Sequence, residues 1–396
     1  MKKPELLAPA GDLEKLKIAF LYGADAVFIG GKQFSLRARA SNFGLDEIKA
    51  GCDFAHERGK KVYVTTNIIP HNDDLDGLKA YLTALDKIGV DAIICASPIV
   101  IDTAREHTDL EIHISTQMSI TNHESVSFWQ ERGASRIVLA RELSKTEIKD
   151  LREHTDCAIE VFIHGGMCVS YSGRCTLSNN MADRDANRGG CAHSCRWNYD
   201  LYDGDEKLNH DSYFAMSAKD LQTVQHISDL IDIGVDSLKI EGRMKSIHYI
   251  ATVVNIYRKL IDNICDDHDI DLPRYLLEIR KAENRLTSHG FMEGMTSIDQ
   301  QLYDMRSEQA TQDFIGLVLD YNPDTLEATI EQRNKFAIGD DVELFSPHME
   351  TMKFRISDIR DEQGNAMEDA PHPKQKVIVT IPFPVRRYDI IRRIKT

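Results

Sequence analysis

Short apolar runs alternate with longer amphipathic stretches through the first 265 residues. The apolar runs predict strands at 5–8, 26–30, 62–67, 92–95, 111–116, 136–140, 159–164 and 237–241. Segments such as DLEKLKIAFLYG, LDEIKAGCDFAHERG and LDGLKAYLTALDKIG lie between them. Their apolar positions recur every three or four residues, as in a helix with one buried face. Eight strands with intervening helices predict a parallel (β/α)8, TIM-like barrel over 1–265. A weak internal repeat agrees with this. YGADAVFIG, IGVDAIICA, RGASRIVLA and IGVDSLKIE each set a glycine behind a helix and an apolar strand just beyond. Glycine there closes the helix in a left-handed cap, and a strand buried on both faces shows no alternation. A doubly wound open sheet would give a similar pattern. However, no G-x-G-x-x-G follows the first strand, which argues against a dinucleotide fold.

The alternation breaks twice. After the seventh strand a long insertion, 164–215, replaces the usual short connection, and excursions of this length in compact domains are rarely idle. A hairpin is expected within it, with arms at 196–202 and 213–215 around the turn DGDEK. AKDLQTVQHISDLIDIG then reads as a helix before the eighth strand, and 247–265 as the closing helix. The acidic CDDHDIDLPR opens a connecting region, 266–313. From 314 to 396 the pattern turns to β. FIGLVLDYN, TLEATIEQR, DDVELFS, MKFRISDIR, KQKVIVTIPF and YDIIRRI are separated by YNPD, IGDD and EQGN. Short strands at regular spacing predict a small antiparallel β-barrel as the C-terminal domain.

The insertion concentrates the chemistry. Four of the eight cysteines, Cys168, Cys175, Cys191 and Cys195, fall within 28 of the 396 residues, spaced C-x6-C-x15-C-x3-C with His164 and His193 nearby. Such a set can ligate zinc, hold an iron–sulfur cluster or supply a nucleophile. Structural zinc favours paired C-x2–4-C knuckles, which only Cys191 and Cys195 approach. Iron–sulfur clusters tolerate irregular spacing and need four thiolates, so a 4Fe-4S cluster is the leading expectation and zinc the runner-up. A cysteine protease needs one activated thiol paired with a histidine. His164 near Cys168 offers that only loosely, and three further cysteines would go unexplained. Cys52, Cys95, Cys157 and Cys265 are scattered and read as core residues.

Composition narrows the setting. The chain is 42% hydrophobic and 28% charged, which suits a soluble globular protein. No apolar run reaches transmembrane length, and Asp12 and Glu14 come too early for a secretory signal. A cytoplasmic location is expected, where clustered cysteines bind metal or react more often than they form disulfides. The net charge of −15 argues against indiscriminate nucleic-acid binding. Even so, 374–395 carries Lys374, Lys376, Arg386, Arg387, Arg392, Arg393 and Lys395 against Asp389 alone. This basic tail is either a phosphate contact or a solvated edge strand.

Active sites of (β/α)8 barrels lie at the C-terminal ends of the strands. That rim would hold His164, Asn67, Gln117, Arg141, Glu142, Glu241 and Arg243. The loop after the second strand adds Lys32, Arg37 and Arg39, and the insertion and its surroundings add Arg174, Arg184, Arg188, Arg196 and Lys245. Together these cations would suit an anionic ligand, either phosphate or dicarboxylate, although each arginine alone could simply pair with a neighbouring acid. Glu241 ends an apolar strand, where a carboxylate must be paired or used. His164 reads equally as a hydrogen-bonded strand-end residue or as a proton donor. Tyr171 and Ser172 read equally as packing or function.

ELLAPAGD, GADAVFIGG, EVFIHGGMCVSYSGRCTLSN, RGGCAHSCRW and SLKIEGRMKS resemble peptidase family U32, and the β-rich C-terminus resembles that family's C-terminal domain. Some members of the family are described as collagenase-like proteases. Others hydroxylate without oxygen: a tRNA wobble uridine to 5-hydroxyuridine, a ribosomal RNA cytidine, or the ubiquinone ring. The hydroxylating members are associated with a cysteine-held iron–sulfur cluster, and the RNA branch with prephenate. The resemblance implies Cys168, Cys175, Cys191 and Cys195 as cluster ligands, with Cys195 as the fourth. Gln222 stands where certain relatives have cysteine. The long extension of the ribosomal branch is missing, which leaves the tRNA branch closest. The expected site is then His164, Glu241 and Tyr171 as catalytic groups, with Arg37, Arg39, Arg141, Arg174 and Arg243 binding the anionic co-substrate. The expected partner is tRNA, and assembly into a homo- or hetero-oligomer is open. The alternatives are a U32-type peptidase and a non-catalytic cluster-binding partner in a hydroxylase complex.

Overall fold

A computed structural model of the chain describes residues 2–36, 42–210, 214–282, 285–303 and 312–394. The chain divides into two compact units, 1–276 with 285–308, and 277–284 with 309–396.

The first unit is built on eight parallel strands: β1 (Glu5–Pro9), β2 (Ala26–Gly30), β3 (Lys61–Thr66), β4 (Ala92–Cys95), β5 (Glu111–Ile114), β6 (Arg136–Val138), β7 (Ala158–Gly165) and β8 (Ser237–Ile240). Each pairs with the next, and β8 pairs in parallel with both β7 and β1, so the ring closes. This is the (β/α)8 barrel the pattern predicts. β2 and β4 are buried at every position, because lumen and helices cover their two faces. The four repeat glycines, Gly23, Gly89, Gly133 and Gly234, all have positive φ, between +85° and +116°. Each lets the chain leave a helix in a left-handed turn and start the following strand.

The region around β7 departs from the simple repeat. β7 is eight residues long and its upper end has two neighbours. Its lower part pairs with β8, while Gly165 and His164 pair antiparallel with Leu221 and Gln222. The AKDLQ segment, expected to open a helix, is therefore a strand, Asp220–Gln222, and the helix runs only over Ile227–Ile233. Pairing with β7 satisfies these backbone groups, which outweighs a modest helical pattern. The expected hairpin is also rearranged. A two-residue ribbon, Tyr202–Asp203 with Glu206–Lys207, turns at Gly204 and Asp205, whereas Phe214–Ala218 pairs chiefly with Gln301–Tyr303.

The second unit is an antiparallel half-barrel of six strands. Their order is Met352–Arg355, Asp341–Phe345, Ile390–Ile394, Gln312–Asn322, Glu327–Gln332, Lys376–Thr380, with a two-stranded ribbon beside them. Ile315, Val318, Ile330, Leu344, Val377 and Ile391 are among its core residues. Arg392 is fully buried here, its Nε 3.2 Å from Glu343 and its Nη2 3.0 Å from Glu278. Glu278 belongs to the segment 277–284, so the region read as a connector is shared between the two units.

Candidate active site at the barrel mouth

The end of β7 aims the chain at the mouth. Gly165 has φ +109°, and a Cβ there would lie 2.4 Å from the Glu241 carbonyl oxygen, so only glycine lets β7 pass β8 this closely. Two arginines hold the next carbonyls. Arg141 Nη1 donates to Gly166 O at 2.6 Å, and Arg196 Nη2 to Met167 O at 3.3 Å. Cys168 follows directly.

From there the insertion is tied down onto the rim. The buried Ser172, in the left-handed region at φ +50°, donates its backbone N–H and its hydroxyl to the two carboxylate oxygens of Glu142, each at 2.7 Å. Ile69 N–H donates to Asn187 O, and Arg188 makes a bidentate pair with Asp74 at 2.7 and 2.8 Å. The insertion is thus anchored to the loops after β3 and β6. A short helix, Leu177–Ala182, sits among the thiols. The Leu177 N–H points at Cys175 Sγ, and Ser178 Oγ lies 3.9 Å from Cys191 Sγ while accepting from the Ala192 N–H. Cys168 Sγ is 3.1 Å from Ser170 Oγ.

The four cysteines are free thiols that share one electrostatic environment. Burial pushes the Cys195 thiol up to about 11, Arg196 pulls it down, and Cys168, Cys191 and Cys175 push it further up. Among the described residues, no three of these sulfurs fall within 4.8 Å of one another. Four thiolates are a donor set that either a zinc ion or a 4Fe-4S cluster accepts. Cys52, Cys95 and Cys157 are buried, as expected of core residues.

The predicted cations divide into several groups. Asp220, 5% exposed, faces two of them, Arg196 at 3.5 Å and Lys245 at 3.9 Å, together with Arg285 at 3.8 Å. Three cations converging loosely on one carboxylate concentrate positive charge that suits a further anion. Arg243, also buried, donates to Ser35 Oγ, Thr65 Oγ1 and Leu36 O at 3.1, 3.2 and 2.7 Å. Arg141 additionally stacks on Phe162, 3.8 Å from the ring centroid. Arg174 is exposed and reaches Met118 Sδ. Arg37 and Arg39 lie outside the described residues. Asp220 and Arg285 were missed by the pattern, since one was read into a helix and the other into a connector.

The three expected catalytic groups sit in different surroundings. His164 is buried against the closing helix, its Nδ1 3.3 Å from Tyr257 Oη and its ring packed on Tyr249 and Tyr257. Burial, aided by Lys245, lowers its pKa to about 3. The low-dielectric pocket disfavours the imidazolium, so the ring is held neutral and hydrogen-bonded there. Tyr171 is 55% exposed on the insertion, its phenol pKa raised by burial and then by Glu142 and Glu147. Glu241 is half-buried; its backbone N–H donates to His164 O and its carbonyl accepts from Tyr249 Oη. The basic tail also changes character. Arg392 and Arg393 are spent on internal ion pairs, and Lys376 approaches Glu362 at 3.9 Å. Lys395 lies outside the described residues, and Lys374, Arg386 and Arg387 remain exposed. No helix among the described residues is long and apolar enough to cross a membrane.

Known proteins share this organisation. The chain is 51% identical over 385 residues to tRNA hydroxylation protein P1 of Bacillus subtilis, covering 95% of this chain and 91% of that one. It is 35% identical to tRNA hydroxylation protein P of Escherichia coli, covering 96% and 94%. It is 38% identical to the 23S rRNA 5-hydroxycytidine C2501 synthase of Escherichia coli, covering 73% of this chain but 42% of that one. The family model for peptidase family U32 matches residues 11–302, taking in the barrel and its cysteine insertion, and the model for the U32 C-terminal domain matches 310–392. With both units matched, the chain belongs to peptidase family U32.

Proposed function

We propose that this protein is a tRNA-modifying enzyme that hydroxylates wobble uridine to 5-hydroxyuridine without molecular oxygen. In this reading an iron–sulfur cluster is held by Cys168, Cys175, Cys191 and Cys195, and prephenate is the anionic co-substrate. The observation that carries it is the placement of four free thiols on an insertion tied to the barrel rim, with Arg196, Lys245 and Arg285 around Asp220. Two relatives matched along nearly their whole length are named as tRNA hydroxylation proteins, which supports tRNA as the substrate.

Replacing C5–H by C5–OH with oxygen at the level of water releases two electrons and two protons, and a bound iron–sulfur cluster would pass the electrons singly to an external acceptor, a role closed to zinc, which has no redox states. The chain's own residues prepare the site. Arg141 and Arg196 fix the two carbonyls before Cys168, and Glu142 fixes Ser172 between Cys168 and Cys175. Arg196, Lys245 and Arg285 supply a concentration of positive charge suited to a dicarboxylate. The peptidase reading draws no support from the geometry, because His164 is turned toward Tyr249 and Tyr257.

The test is gene deletion followed by mass spectrometry of bulk tRNA nucleosides. Loss of 5-hydroxyuridine-type modification is expected. Unchanged modification in a strain without a paralogue would sink the reading. Anaerobically purified protein should be brown, with about four irons and four labile sulfides per chain.

A further inference from the structure

Gln117, just beyond β5, is 4% exposed, and its side-chain Nε2 has no hydrogen-bond partner among the described residues. A buried amide donor left unmade costs free energy, so native structures rarely keep one without a use. The orientation of this amide follows from its neighbours. The Leu36 backbone N–H, which can only donate, gives its hydrogen bond to Asn67 Oδ1 at 3.2 Å. Asn67 must then present Nδ2 to Gln117, and it does so at 2.7 Å from Oε1. Ser115 Oγ donates to the same Oε1 at 3.1 Å. With Oε1 occupied by two donors, Nε2 is the amide atom left to bind a ligand.

This chain of hydrogen bonds begins at the Leu36 N–H. Asn67 and Gln117 each accept at the amide oxygen and donate from the amide nitrogen, so the dipoles run in one direction, while Arg243 holds the adjoining peptide group through Leu36 O. Successive donors polarise one another, so the last N–H is a strengthened donor matched to an anionic oxygen. The insertion covers it, for a Cβ on Gly173 would lie 3.8 Å from Gln117 Cγ.

We propose that Gln117 Nε2 is a donor of a carboxylate subsite at the barrel mouth, oriented by Asn67 and Ser115. The subsite rests on the reading above of a small anionic co-substrate and names the group that grips it. An RNA phosphate carries the same oxyanion chemistry, but a backbone phosphate does not fit a donor this buried.

The experiment measures binding of prephenate by calorimetry, and of tRNA by filter retention, to the anaerobic holoprotein. Wild type is compared with Gln117→Glu and Gln117→Met. Both variants keep the side-chain length. The first puts an acceptor where the donor was, and the second removes the polar group. Prephenate affinity should fall more than tenfold in both, and furthest in Gln117→Glu, with tRNA affinity and the thermal midpoint staying near wild type. Prephenate binding at wild-type strength in a folded variant overturns the subsite. A loss confined to tRNA binding overturns the assignment to a small carboxylate. If wild type itself binds neither prephenate nor other small dicarboxylates, the co-substrate reading fails and the subsite with it.

Discussion

The floor and the mouth of the barrel are both polar, and they differ in what is left over. At the floor Glu5 meets Arg136 at 2.6 Å, Arg136 meets Glu160 at 3.2 Å, and Lys239 meets Glu160 at 2.8 Å. Tyr63 Oη and Ser237 Oγ complete the shell of Glu5, and Lys239 also lies 4.5 Å above the Phe28 ring. Burial pushes the Glu160 carboxyl up, but Lys239, then Arg136, bring it down to about 2. Two carboxylates and two cations cancel. At the mouth three cations share Asp220, an amide donor has no acceptor among the described residues, and four thiols stand free. A balanced buried network holds a closed ring together, whereas a concentration of donors marks where a ligand belongs.

The sharpest way to separate the two regions is to damage each in turn. Cys195→Ala should strip the cluster and abolish tRNA hydroxylation while leaving the barrel folded. Iron and sulfide analysis, nucleoside mass spectrometry and circular dichroism check this, and a variant that keeps its full iron content removes Cys195 from the ligand set. The converse change is Lys239→Met, which leaves Glu160 with only Arg136. It should cost about 3–5 kcal/mol in urea unfolding. A loss under about 1 kcal/mol would mean that the floor is not a structural network.

Acid should expose a third difference. His164 is neutral in the folded protein down to about pH 3, whereas an unfolded histidine takes up its proton near pH 6.5. Below pH 6.5 the unfolded state therefore binds more protons, and stability falls as pH falls through that window. Between pH 6.5 and 4.5 this amounts to about 2–3 kcal/mol. The difference between wild type and His164→Asn isolates it, and identical pH profiles would contradict a buried neutral ring. The smallest effect is expected far from the mouth. Arg386→Ala with Arg387→Ala should weaken tRNA binding only modestly, lowering the salt slope by about one for each phosphate no longer neutralised. A collapse of tRNA affinity in that double variant would instead make the C-terminal strand the principal RNA surface.

The barrel was legible because its signals are local. Apolar runs of strand length, helical periodicity and a glycine after each helix need no distant partner to be read. The four cysteines were legible for the same reason, since they crowd into one stretch and few other uses explain four. What misled was context. AKDLQ has helical character in isolation, yet it pairs with the upper end of β7. Arg392 and Arg393 look like a phosphate-binding tail in the chain, yet both fold inward onto acids brought from distant segments. His164 stands next to a cysteine motif in the chain, yet the closing helix places two tyrosines around it.

Read alone, the chain determined the (β/α)8 ring, the β-rich C-terminal unit and the crowding of four cysteines into one insertion, because each is written in residues close together in sequence. Only the tertiary structure decided which charges are balanced and which gather where a ligand can reach them. Asp220 with Arg196, Lys245 and Arg285, and Gln117 with Asn67 and Arg243, are brought together from separate loops. Pairing and burial depend on distance in space, so no local pattern could tell the cations spent on internal pairs from those gathered at the mouth.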